Sequence, residues 1–152
     1  MIVHQVRIGE SVTGPGHEGQ KSPGKEHLIY VSSSVSDLKY RDLLVNFRHR
    51  WELYIHGSLE FSTCDRQDLL LEQWRQAAEK KIVQAGGVMI VVSENTVEDE
   101  GVVWEANCAI LNRIPMVGVD IRKDTQSKIP EPLVGRLTRY GWEWFAMFIN
   151  TL

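Results

Sequence analysis

The amino-acid sequence predicts an α/β fold with a doubly wound, mainly parallel five-stranded sheet and helices on both faces. Three observations lead to this prediction. Short apolar runs such as VMIVVS, at residues 88–93, are typical of strands buried on both faces. Longer segments with the helical spacing of apolar residues alternate with these runs. The length of 152 residues suits one domain with its own core.

The regular part of the sequence begins at His27 with a strand and a helix. HLIYVSS has the apolar run of a buried strand. Ser36 or Asp37 is the predicted N-cap of the helix through LKYRDLLVNFRHR. The apolar side chains at helical spacing form the predicted inward stripe, which consists of Leu38, Leu43, Leu44 and Phe47.

The remaining elements continue the alternation of strands and helices. Residues 51–61 predict one or two short strands, and residues 69–86 predict a helix. A strand over residues 88–93, a helix over residues 101–112 and a strand from Pro115 follow. A short strand within LVGRLTRYGW and a helix within EWFAMFINTL close the chain. This order is that of a flavodoxin-like fold, in which ligands bind beyond the carboxyl ends of the parallel strands.

Residues 1–26 differ in composition from the rest. MIVHQVRI has the character of a short strand, and the following GESVTGPGHEGQKSPGKE is rich in Gly and Pro. We therefore expect residues 1–26 to form an arm or extra strand plus a flexible loop, and residues 27–152 to form the folded domain. The strand is expected to pair with the sheet edge or with another protomer.

Charge and hydropathy exclude several classes of partner. The formal net charge of -3 argues against nucleic-acid binding. The N-terminus lacks the apolar core of a signal peptide, and no window approaches the roughly 20 apolar residues of a membrane span. We expect a cytoplasmic protein without a membrane partner.

Familiar catalytic and metal-binding motifs are missing from the sequence. There is no GxxxxGK[ST] and no GxGxxG placed directly after a strand to bind phosphates, and there is no HExxH or GxSxG for hydrolysis. Cys64 and Cys108 are far apart and outside any CxxC or Cys/His cluster, so we expect reduced thiols and no metal site.

Glu105 is an ionisable residue in an otherwise apolar helical pattern. Its helical neighbours are Gly101, Val102 and Ala109, which are small or apolar. This pattern leaves three interpretations open: a solvated face, a structural cap partner or a catalytic carboxylate. The predicted helix follows the strand ending at Ser93, so Glu105 is expected near the ligand end of the sheet.

A serine-rich segment follows the first predicted strand at the same end of the sheet. Hydroxyl and backbone N–H groups at such a position bind ribose or phosphate groups, whereas a simple turn with an N-cap needs only one of them. The side chains that carry this hypothesis are Ser32, Ser33, Ser34, Ser36 and Asp37.

Four segments in order resemble TIR and TIR-like domains. IYVSSSVSD is similar to the family's first strand and VMIVVSENT to its third strand, followed by the Trp104–Glu105 pair that opens a helix. The strand PMVGVDI and the ending YGWEWFAMFI complete the resemblance, which covers residues 27–152. The ending is similar to bacterial members related to Thoeris antiviral-defence sensors.

The resemblance implies a function and a site. In catalytic TIR domains the glutamate of this helix cleaves NAD, so the resemblance makes Glu105 the catalytic residue and NAD the substrate, with no cofactor. The product is then ADP-ribose or a cyclic ADP-ribose that serves as a signal. The substrate-binding residues implied by motif or placement are Ser32, Ser33, Ser34, Asp37, Asp65, Ser93 and Trp104. Assembly into a homo-oligomer and activation by a protein trigger are further expectations for this family.

Two alternatives stay open. The family usually has a second tryptophan four residues before the glutamate, where this chain has Gly101. This departure and the unusual arm at residues 1–26 favour a non-catalytic TIR-like interaction module. The segment around Glu105 also resembles nucleoside 2-deoxyribosyltransferases, which use a glutamate on an N-glycosidic bond, although Asn107 and the Ser-rich end of the first strand depart from their pattern.

Overall fold

A computed structural model describes residues 25–46, 54–66 and 70–152, and the backbone of residues 3–6. The strands are β1 (Val3–Val6), β2 (Lys25–Ser32), β3 (Gly57–Ser62), β4 (Gly87–Val92), β5 (Met116–Asp120) and β6 (Leu137–Arg139). The helices are α1 (Leu38–Asn46), α2 (Leu71–Gln84), α3 (Glu100–Leu111) and α4 (Trp142–Asn150).

The six strands form one sheet in the order β1-β3-β2-β4-β5-β6. Strands β2 to β6 are parallel, and only β1 runs antiparallel, against β3. The central strand β2 pairs with both β3 and β4, so Ile29 lies opposite Phe61 on one side and Gly87 on the other. Counted along the chain, the parallel strands have the 2-1-3-4-5 order of flavodoxin-like folds. The predicted fold class is therefore confirmed.

Helices cover both faces of the sheet and divide the core in two. On one face, Leu44 of α1 and Phe145 of α4 pack against Ile29 and Val31 of β2. On the other face, Ile82 of α2 joins a cluster that also includes residues of α3. Because side chains alternate along a strand, Tyr30 and Ser32 point to the face that α2 and α3 cover. This alternation places two polar residues of β2 beneath α3.

The predicted inward stripe of α1 was wrong in part. Leu44 is buried, but Leu43 is 39% exposed, and Arg41 lies buried on the inward side instead. The predicted N-cap was also wrong, because Ser36 and Asp37 lie within a 3-10 turn that precedes α1. Of the other two stripe residues, Leu38 is half-buried, and Phe47 is outside the described residues.

Strand β1 forms the sheet edge next to β3, which is one of the two arrangements expected for the N-terminal segment. The rest of the predicted arm, residues 7–24, lies outside the described residues. No helix within the described ranges is both long and apolar enough to cross a membrane.

Candidate functional site

Glu105 is buried in the second turn of α3, with 1% of its surface exposed. The Ser32 hydroxyl donates a hydrogen bond to its Oε1 at 2.6 Å. The Tyr30 hydroxyl donates to the other oxygen, Oε2. Both donors come from β2, two residues apart on the face toward α3. The solvated-face interpretation of Glu105 is therefore wrong.

The surroundings of Glu105 shift its ionisation toward neutral pH. Burial penalises the charged form and raises the pKa of the Glu105 carboxyl to about 7, while the Ser32 and Tyr30 hydrogen bonds act in the opposite direction. The charge of Arg66 also favours the ionised form, and that of Asp99 disfavours it. Burial and the neighbouring carboxylate raise the pKa of Tyr30 well above its ordinary value, so Tyr30 is the hydrogen-bond donor of the pair.

A cleft of about 270 Å³ opens beside Glu105 at the carboxyl end of β2 and β3. This volume lies near the lower end of ligand pockets, roughly 300 Å³. The lining consists of Val31, Ser32, Ser33, Val35, Leu38, Arg41, Asp42, Cys64, Asp65, Arg66 and Glu105. Ser32, which donates to Oε1, lines the cleft, whereas Tyr30, which donates to Oε2, does not.

Arg66 follows β3 and closes one side of the cleft. Its guanidinium donates to both carboxylate oxygens of Asp99, at 2.8 and 3.1 Å, and to the Ser33 carbonyl at 3.4 Å. It also lies over the Trp74 ring, 5.3 Å from the centroid. Asp99 is the N-cap of α3 as well, accepting from the Val102 N–H at 3.0 Å. One carboxylate thus fixes both the start of the helix and the arginine.

Gly101 leaves the space that Arg66 occupies. A Cβ at position 101 would lie 2.2 Å from Arg66 Nη1 and 2.9 Å from its Cζ. Any larger side chain therefore requires the guanidinium to move. The glycine at position 101 therefore goes together with an arginine on this side of the cleft.

Trp104 lies outside the cleft lining. Its ring packs against Trp74, with centroids 5.4 Å apart, and the Arg75 guanidinium lies over it at 5.6 Å. Trp104 therefore packs against Trp74, and the Arg66 guanidinium lies over the Trp74 ring. Trp104 was predicted to contact the substrate, but it is not among the residues that line the cleft.

Asp37 forms a second buried polar cluster at the same end of the sheet. Its Oδ2 accepts hydrogen bonds from Ser34 Oγ at 2.7 Å and from Ser93 Oγ at 2.5 Å. These bonds tie the segment after β2 to the segment after β4. Asp37, Ser34 and Ser93 are absent from the cleft lining. Their geometry fits a structural tie between two loops.

The structure thus divides the predicted site residues into two groups. Glu105, Ser32, Ser33 and Asp65 line one cleft, and their roles in binding and catalysis stay predictions. Sequence reasoning missed Tyr30, Arg41 and Arg66. The alternation along β2 carried a signal for Tyr30, because it places Tyr30 on the same face as Ser32. The two arginines gave no signal, because Asp65 and Asp99, which pair with Arg41 and Arg66 respectively, come from other segments of the chain.

Free thiols and the metal-binding potential complete the description of the site. Cys64 and Cys108 are both free, and burial raises the pKa of each thiol. Within residues 25–46, 54–66 and 70–152, no group of three or more His, Cys, Asp or Glu side chains is placed to hold a metal ion. No protein-family model and no curated protein matches this chain significantly.

Proposed function

We propose that this chain is a TIR-like enzyme that cleaves the nicotinamide–ribose bond of NAD. The observation that carries the proposal is the buried Glu105 carboxylate beside the cleft, held by two hydroxyl donors and with a pKa of about 7. A carboxylate that ionises near neutral pH in a protected cleft is typical of a catalytic group.

The chemistry of N-glycosidic cleavage needs one negative charge near the ribose. Nicotinamide departs as a neutral molecule with the electrons of the C–N bond, and the ribose carbon gains oxocarbenium character. An ionised Glu105, which lines the cleft, stabilises this positive charge through its carboxylate. Water then attacks the ribose carbon and releases a proton, which gives ADP-ribose. Attack by another group of the same nucleotide gives a cyclic product, which suits a signalling role in antiviral defence.

Release of nicotinamide tests this proposal directly. Purified protein is incubated with NAD at neutral pH, and nicotinamide is quantified by chromatography. We expect release by the wild type and a loss of about 100-fold or more in Glu105→Gln, because the amide cannot carry the stabilising charge. Glu100→Gln is the matched control, since Glu100 is an exposed residue of the same helix. Equal rates in Glu105→Gln and the wild type would remove Glu105 from the mechanism.

Deoxyribosyl transfer between bases is the second candidate. It is favoured by the two hydroxyl groups that hold the Glu105 carboxylate in one orientation, Tyr30 at Oε2 and Ser32 at Oε1. In this reaction Oε1 bonds to the sugar carbon as one base leaves, and a second base then displaces the carboxylate. Base exchange on a deoxynucleoside without nicotinamide release from NAD would favour this candidate over NAD cleavage.

A further inference from the structure

Arg41 is a second buried charge in the cleft beside Glu105. It lies on α1, and 7% of its side chain is exposed. Its Nη1 donates to Asp65 at 2.6 Å, and its Nε and Nη2 donate to Asp42 at 3.2 and 3.0 Å. All three residues line the cleft.

The two partners of Arg41 are much more exposed than Arg41 itself. The side chain of Asp65 is 37% exposed and that of Asp42 is 50% exposed. A half-exposed carboxylate regains water when it leaves the pair, and an incoming anion restores the compensation that the buried guanidinium needs. The guanidinium is enclosed, so it stays in place when a carboxylate swings away. This arrangement is a fixed cation with replaceable counter-ions.

The other arginine of the cleft differs in this respect. Arg66 is paired with Asp99, whose side chain is only 14% exposed and also caps α3. Releasing Asp99 from Arg66 would therefore disturb the helix start. Asp65 has no comparable second role among the contacts that the structure gives it. Arg41 is thus the cation that an incoming anion can reach at the lowest cost.

We propose that Arg41 is the phosphate-binding residue of the cleft and that a nucleoside diphosphate displaces Asp65 from it. Asp65 accepts only the Nη1 hydrogen bond, so a phosphate oxygen can replace it while the Nε and Nη2 bonds to Asp42 keep Arg41 in its orientation. The inference rests on the proposed function in one respect, namely that the substrate carries a diphosphate. It adds the residue that holds this group and the carboxylate that must yield to it.

Binding of ADP, measured by calorimetric titration, tests the subsite without any cleavage reaction. We expect the wild type to bind ADP more tightly than adenosine, and Arg41→Met to lose about tenfold or more of the ADP affinity. Asp65→Asn should bind ADP more tightly than the wild type, because it removes the competing carboxylate. Arg41→Lys should retain part of the affinity, and thermal unfolding checks that each variant is folded.

The matched control is Arg122→Met. The Arg122 side chain is 9% exposed and pairs with Asp120 at the end of β5, but it is outside the cleft lining. Its loss should leave ADP affinity unchanged. If the ion pair between Arg41 and Asp65 were purely structural, Asp65→Asn would leave the ADP affinity unchanged or lower it.

The outcomes separate this inference from the proposed function. A wild type that does not bind ADP, or a folded Arg41→Met protein that binds as the wild type does, overturns the subsite. Binding that depends on Arg41 in a protein that leaves NAD intact supports the subsite and contradicts NAD cleavage. Cleavage of NAD with a KM unchanged in Arg41→Met supports NAD cleavage and overturns the subsite.

Discussion

Two opposing effects act on the ionisation of the Glu105 carboxyl group. Burial disfavours its charge, and the hydroxyls of Ser32 and Tyr30 favour it. Burial is the larger effect, so the pKa rises to about 7 rather than staying near 4.5. The ionised fraction of Glu105 therefore changes most steeply around neutral pH. If NAD cleavage requires the ionised form, its rate should increase as the pH rises through this range.

Substitution of Tyr30 should move this pH dependence. Tyr30→Phe removes a donor that favours the ionised form of Glu105, so the pKa of Glu105 should increase further. We expect the rising limb of the pH–rate profile for nicotinamide release to shift to higher pH. The control is Tyr54→Phe, because Tyr54 is exposed and outside the cleft lining. An unchanged midpoint in folded Tyr30→Phe would show that Tyr30 does not tune Glu105.

Among the secondary-structure elements, helix α1 contains a buried residue, Arg41, that its own sequence did not predict. The apolar stripe chosen from the sequence passed over Arg41 because arginine is rarely buried without a partner. The partners that satisfy Arg41 include Asp65, which follows β3 and lies 24 positions along the chain. Strands such as β4 were easier to predict, because all six of its residues are buried and the run is continuously apolar. The burial of Arg41 could therefore not be predicted from the sequence of α1, because it depends on a tertiary contact.

The start of helix α3 shows the same dependence on a distant segment. The sequence predicted this helix within one residue of its observed bounds and placed Glu105 near the ligand end. It could not indicate why position 101 is glycine. The reason is Arg66, which comes from the segment after β3 and fills the space beside the glycine.

Gly101→Ala tests this packing through a double-mutant cycle. Alanine in a helix is ordinarily about 0.5–1 kcal/mol more favourable than glycine. In the wild-type background, however, the added Cβ meets the Arg66 guanidinium and disturbs its pair with Asp99. We expect Gly101→Ala to lower the free energy of unfolding in the wild type and to raise it in an Arg66→Ala background. Urea denaturation measures all four proteins, and equal effects in both backgrounds would contradict the coupling.

At the scale of the whole molecule, the strand order brings the site together. β2 lies between β3 and β4, so the segments after β2 and β3 meet at one edge, and α3 returns from β4 over Tyr30 and Ser32. The sequence predicted this edge from the alternation of strands and helices. It did not predict which polar residues line the cleft and which tie the loops together, because Ser32 and Ser34 have the same local sequence character.

The buried carboxyl group also couples the stability of the whole fold to pH. The pKa of Glu105 is about 7 in the folded state, against an ordinary value of 4.5. Between these two pH values the folded protein binds more protons at this site than the unfolded chain does. The contribution of Glu105 to the free energy of unfolding is therefore most favourable below pH 4.5 and decreases as the pH rises to about 7.

Replacement of Glu105 by glutamine should remove this dependence. Glutamine has nearly the shape of the protonated carboxyl group and no charge to desolvate. Relative to the wild type, Glu105→Gln should gain on the order of 3 kcal/mol of stability as the pH increases from 4.5 to above 7. Urea denaturation of both proteins across this range measures the difference, in which the other titrating groups cancel. Glu100→Gln, an exposed substitution in the same helix, controls for the loss of one carboxylate. A constant difference between Glu105→Gln and the wild type would show that Glu105 ionises at its ordinary pKa, and its role as a carboxylate poised near neutral pH would then be lost.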